Sequence, residues 1–188
     1  MNLRIEKYFS LNEILLLTLC GALIFVLKVI FKLPIHLPGH SGAFWVIPLI
    51  IGVSFVKKPG SGLYIGLVSG LLASFFGIGA LHVFDLVKYL SIGAATDLFA
   101  VLFAYRFDNV AVAVITGIFA NVIKMLVNYS IQLVLGVQPF FIILGIGVSS
   151  VTHIVFGAIG GLISAFIIQR LIRAGLVGEN NESSSDFS

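Results

Sequence analysis

Long apolar runs joined by short polar hinges dominate this chain, with charge-poor stretches near 12–31, 42–56, 62–80, 85–105, 110–135 and 141–172. About 20 apolar residues in a row cross a bilayer as a helix, because lipid gives backbone amides and carbonyls no partner outside their own helix. Hydrophobic residues make up 59% of the chain and charged residues 10%, and mean hydropathy is +1.14, too apolar for a soluble globule. The reading is an all-α polytopic membrane protein, a bundle of six transmembrane helices. Six spans nearly exhaust 188 residues and leave no room for a soluble catalytic domain. Three segments are expected: 1–10 as a cytoplasmic N-terminal segment, 11–175 as the membrane domain, and 176–188 as a disordered cytoplasmic tail of Glu, Asn, Ser and Asp. The run from Ile14 to Phe31 exceeds a signal h-region, and Leu17-Thr18-Leu19-Cys20 lacks the small residue that lipoprotein processing requires, so the first helix stays in the protein.

Basic residues set the orientation. With the N-terminus inside, Arg4, Lys7, Lys57, Lys58, Arg106, Arg170 and Arg173 flank the inner ends, whereas Lys32 and Lys88 are the main cations at the outer ends. Both termini are expected in the cytoplasm. Tyr8, Tyr64 and Tyr105 then fall near the inner interface and Trp45 near the outer one, as belt residues or as packing. Tight inner turns at Lys57-Lys58-Pro59-Gly60 and Arg106-Phe107-Asp108-Asn109 contrast with the long outer connection from Lys32 to Ser41.

Asn121, Lys124, Asn128 and Gln132 recur at spacings of three, four and four, which on a helix is one polar stripe inside an apolar span. A lysine in a membrane helix costs about 2.5–3.5 kcal/mol on insertion scales, so it faces a partner, a cavity or a ligand rather than lipid. On the same outer half lie His36 and His40 in the first loop, and His82, Asp85 and Lys88 around the start of helix four. Helix six adds Ser149, Ser150 and His153. Together with Trp45 these residues outline a solute site with an apolar body and a few orienting polar groups. Its lysines outnumber its one carboxylate, which favours an anionic or strongly polar solute. The competing reading is interhelical hydrogen bonding that holds the bundle together. Lys28 and Lys88 can snorkel to the interface, Asp85 and Lys88 have ordinary helical ion-pair spacing, and Asp97 can lock helices, with Lys124 as one available partner.

The segment His36-Leu37-Pro38-Gly39-His40-Ser41 folds two imidazoles around a Pro-Gly turn as a candidate lid, with Ser41 placed to cap the next helix. Four histidines on one side make cobalt or nickel coordination arithmetically available, but their spacing matches no metal signature and no metal site is assigned. Gly66 and Gly70, and Gly157 and Gly161, have the spacing that brings helix backbones together, either within the bundle or against a membrane partner. There is no GxxxxGK[ST], HExxH, GxSxG or Cys/His zinc pattern, so no ATPase or common hydrolase machinery is visible. The chain is expected not to be an enzyme and to use no cofactor.

Size, six spans, inside termini, outer-facing polar residues and a functional-looking first loop together resemble the substrate-binding S components of energy-coupling factor (ECF) transporters over residues 10–175, with His36 through Trp45 similar to a loop-to-helix junction of that family. The resemblance implies a multi-pass cell-membrane subunit that captures a vitamin-like or other micronutrient at the outer face. Its implied partners are the solute, the bilayer, a transmembrane coupling subunit and two cytoplasmic ATPases, with no nucleic acid. Solute release by toppling of the subunit in the bilayer is part of the same implication. Family members dock through an AxxxA-like face on helix one, where this chain has Cys20, Gly21 and Ala22. Metal uptake and a non-transport membrane scaffold remain the other readings.

Overall fold

The computed structural model describes residues 9–30, 41–77 and 82–175, with the backbone alone at His82. Six α-helices run through the described residues: α1 Leu11–Ile30, α2 Gly42–Val56, α3 Ser61–Phe75, α4 Asp85–Leu102, α5 Val110–Val134 and α6 Pro139–Arg173, with a single 3₁₀ turn at His82–Phe84 leading into α4. No strand occurs among them, as the all-α reading expects. Helix bounds follow the apolar runs except at α3, which stops at Phe75 rather than near residue 80.

α2 occupies the middle. It touches every other helix, and Trp45, Val46, Leu49, Ile50 and Val53 are all buried. An unbroken apolar sequence suits that position, since a helix surrounded by helices has no face to give to water. Around it, α1 packs on α3, α3 on α4, α4 on α5, α5 on α6, and α6 returns to α2. α1, α5 and α6 are each long and apolar enough to cross a membrane. α2 and α3 have 15 residues each, and α4 carries Asp85, Lys88 and Asp97 within its 18 residues.

Glycine faces make the close packing possible. A Cβ on Gly157 would lie 2.6 Å from the Gly117 carbonyl oxygen, and one on Gly161 would strike the Ala113 carbonyl, so α5 and α6 meet backbone to backbone. α3 and α4 do the same through Gly62, Gly66, Gly70 and Gly93. The small-residue pairs on α3 and α6 are therefore internal contacts. So are two of the trio on α1: Cys20 is buried against α2 at Gly52, and a Cβ on Gly21 would be 2.8 Å from Val68 Cβ on α3, while Ala22 is partly exposed.

Side-chain contacts tie the starts of α1 and α3. Ser10 N–H donates to Glu13 Oε2 (2.7 Å) and Glu13 N–H to Ser10 Oγ (3.3 Å), a reciprocal cap on α1. Glu13 also pairs with Lys58 at 2.9 Å, joining the start of α1 to the α2–α3 turn. Asp97 departs from one of its expected roles. Its carboxylate accepts the Gly62 and Leu63 amides, both at 2.8 Å, and so caps the N-terminus of α3 rather than reaching Lys124. Ser41 likewise makes no side-chain cap on α2.

Candidate polar site among four helices

Four helices contribute the site's best-defined polar contacts, and α1 adds a neighbouring cation. On α5, the expected stripe holds. Asn121 is fully buried, Lys124 and Asn128 are partly buried one and two turns further along, and Gln132 is partly buried beyond them. Asn121 Nδ2 donates to the His153 carbonyl at 2.8 Å, bridging α5 to α6. That contact also settles the amide's orientation, because a carbonyl only accepts, and it leaves Oδ1 buried without a donor. Gly42 at the start of α2 makes room for this carboxamide, since any Cβ there would overlap it.

Lys124 reaches across to α2, where its Nζ stands 4.6 Å from the centre of the Trp45 ring. Trp45 is 2% exposed, so it is a core residue rather than a belt residue. Its indole Nε1 is buried without an acceptor. A cation–π contact returns about 0.5–2 kcal/mol, less than the about 2.5–3.5 kcal/mol cost of placing the ammonium in a membrane helix. Among the described residues Lys124 has no hydrogen-bond acceptor and no carboxylate in ion-pair contact. The charges of Lys28, Lys88 and Asp85 act on it.

Lys88 is differently placed. It is 7% exposed, forms an ion pair with the fully buried Asp85 one turn back on α4, and lies 3.4 Å from Asn128 Oδ1 on α5. Its environment fits the helical ion pair and excludes snorkelling. Lys28 on α1 stands 5.1 Å from the ring centre of Tyr89, the residue after Lys88.

α6 closes the cluster. His153 is buried and its Nδ1 lies 2.7 Å from the Ser149 carbonyl, so Nδ1 carries the proton and Nε2 presents a lone pair in the neutral ring. Ser149 Oγ is 2.6 Å from Tyr129 OH on α5, while Ser150 Oγ turns back to the Ile146 carbonyl at 2.7 Å. Trp45, Asp85, Lys88, Asn121, Lys124, Asn128 and His153 thus belong to one neighbourhood, linked pair by pair. Gln132 makes no side-chain hydrogen bond among the described residues, and His36 and His40 lie outside them. Tyr89 and Tyr129 were not singled out from the sequence. The available signal was adjacency, because Tyr89 directly follows Lys88 and Tyr129 directly follows Asn128. Beside the cluster, an open groove of about 350 Å³ between α4 and α5 is lined by Phe84, Val87, Val127, Ser130, Ile131 and Val134 and carries no charge.

Among the described residues no three His, Cys, Asp or Glu side chains gather as a metal-ligand set. The cluster combines lysines and aromatic rings with the one ion-paired carboxylate of Asp85, and hydrogen-bonding capacity is left over at Trp45, Asn121 and the Asp85 oxygens.

An all-helical bundle with apolar spans and a polar cluster at one end defines a membrane protein, and its fold is that of the ECF transporter S components. A solved structure described as the crystal structure of an S-component of ECF transporter aligns with a TM-score of 0.64, covering 90% of this chain and 88% of that chain at 17% sequence identity. The family model described as ABC-type cobalt transport system, permease component, matches residues 13–123, more than half of the chain, which therefore belongs to that family. No curated protein matches the sequence significantly.

Proposed function

We propose that this chain is the solute-capturing membrane subunit of an ECF-type uptake transporter, taking a small, vitamin-like organic micronutrient from the outer face. It has six spans with both termini in the cytoplasm, and it hands its solute on with a transmembrane coupling subunit and two cytoplasmic ATPases. The convergence of Lys124, Trp45, Asn121, Lys88 and His153 from four helices on one half of an S-component fold carries this reading. Structural glue alone needs no cation without an acceptor, whereas a solute site does.

A second reading follows from the family description: the cargo is a cobalt or similar divalent ion. His153 Nε2 suits such an ion, but Lys124 and Lys88 nearby repel it. Native mass spectrometry of gently solubilised protein, with identification of what denaturation releases, separates the cases. An organic micronutrient supports the proposal, a stoichiometric divalent metal replaces it with metal uptake, and protein that is empty and needs no coupling module for any uptake overturns both.

A further inference from the structure

We infer that the solute carries an anionic oxygen group, a carboxylate or phosphate, next to a hydrogen-bond donor of its own, and that Lys124, Trp45 and Asn121 read the two together. This rests on the solute-capturing reading above and names the chemistry of its ligand.

The outer half holds two lysines in unlike states. Lys88 is satisfied internally, by the Asp85 carboxylate and by Asn128. Lys124 has only the face of Trp45 in direct contact, and the charges of Lys28 and Lys88 repel it while the only attraction is from Asp85, already paired with Lys88. Recognition of an anion therefore falls to Lys124, because engaging Lys88 would first require breaking a buried ion pair.

Apart from the Asp85 oxygens, which belong to the Lys88 ion pair, two further buried groups in that neighbourhood are unsatisfied. Trp45 Nε1–H is a buried donor on the ring beneath the Lys124 ammonium, and Asn121 Oδ1 is a buried acceptor one helical turn before Lys124. Neither can be rescued by reassigning atoms: an indole nitrogen only donates, and the Asn121 orientation is held by its bond to the His153 carbonyl. Buried polar groups in native structures are normally paired, so a charge, a donor and an acceptor left open in one place describe their missing complement. A carboxylate or phosphate oxygen takes the two donors, and an N–H or O–H on the same solute meets Asn121 Oδ1. A bare divalent cation, or a solute whose polar end is cationic, satisfies none of the donors and meets Lys124 head on.

Trp45 is the only tryptophan in the chain, so its fluorescence reports on this site alone. The test uses full-length protein in phosphatidylcholine nanodiscs, titrated with inorganic phosphate and with acetate against sodium chloride of equal ionic strength. A saturable change specific to phosphate or acetate is expected in the wild type and in Lys124→Arg. In Lys124→Gln the response should weaken by about tenfold or more, as loss of one charge-assisted hydrogen bond implies. No response beyond chloride in wild type, or an equal response in a monodisperse Lys124→Gln protein, overturns the inference. A change produced only when phosphatidylglycerol is added to the nanodisc also overturns it, since the anion would then be a lipid headgroup. The solute released in native mass spectrometry keeps this failure distinct from failure of the transport reading. An uncharged or cationic micronutrient that Lys124→Gln still carries overturns the anion alone and leaves capture intact.

Discussion

Asp85 and Lys88 show how a buried charge in this protein depends on its neighbour. Asp85 is fully buried, so Lys88→Met would strand its carboxylate, and a loss of about 3–5 kcal/mol in stability is expected. The double change Lys88→Met with Asp85→Asn should recover most of that loss, as read by thermal unfolding in detergent. A double variant no better than Lys88→Met would show that the pair is not the unit that matters. Gly42 is the other sensitive residue in this region. A methyl group there must displace the Asn121 carboxamide, so Gly42→Ala should cost about 1–3 kcal/mol and weaken solute binding at the same time. Retained binding with wild-type stability would mean that α2 shifts without consequence. The stripe on α5 was legible from residue spacing, because helical periodicity is a local property. That Lys124 rests on Trp45, and that Trp45 is core rather than belt, was not legible, because it depends on how two helices distant in sequence are brought face to face.

Helices in this bundle are held by close backbone approach and by caps as well as by the buried side chains around α2. Gly117 and Gly157 face each other across α5 and α6, so Gly157→Val should prevent the two helices from closing and give a protein that aggregates on extraction. Val at Gly147, which has open space around its Cα, is the matched control and should be tolerated. At the start of α3, Asp97→Ala removes the carboxylate that accepts two amides and should destabilise by about 2 kcal/mol. Unchanged unfolding on that substitution would show that water replaces the cap. The sequence marked Asp97 as unusual but left its partner open. Gly62 and Leu63 lie thirty-five and thirty-four residues earlier, and nothing in the local pattern says that these first amides of α3 meet the latter part of α4.

At the scale of the molecule, α6 has 35 residues and spans about 52 Å, against a hydrocarbon core of about 30 Å, so it runs well past or steeply across the membrane. Orientation is open to direct test because Cys20 is the chain's only cysteine and is buried. In a Cys20→Ala background, a cysteine at Asp108 in the α4–α5 turn should be labelled only from the cytoplasmic side, and one at Val137 in the α5–α6 turn only from outside. The reverse pattern would invert the proposed topology and move the polar cluster to the cytoplasmic face.

Composition and the spacing of apolar runs, without any coordinates, determined that this is an all-helical membrane protein, where its helices begin and end to within a few residues, and which residues form the polar stripe. These follow from solvation of one segment at a time, since lipid compels each span to satisfy its own backbone. Tertiary structure alone decided that α2 is the central helix, that the glycine faces and Cys20 and Gly21 of α1 turn inward, that Asp97 caps α3, and that Lys88 is neutralised while Lys124 is not. Each of those outcomes is a choice among partners similar in polarity and size, and only the geometry of the assembled bundle distinguishes one partner from another.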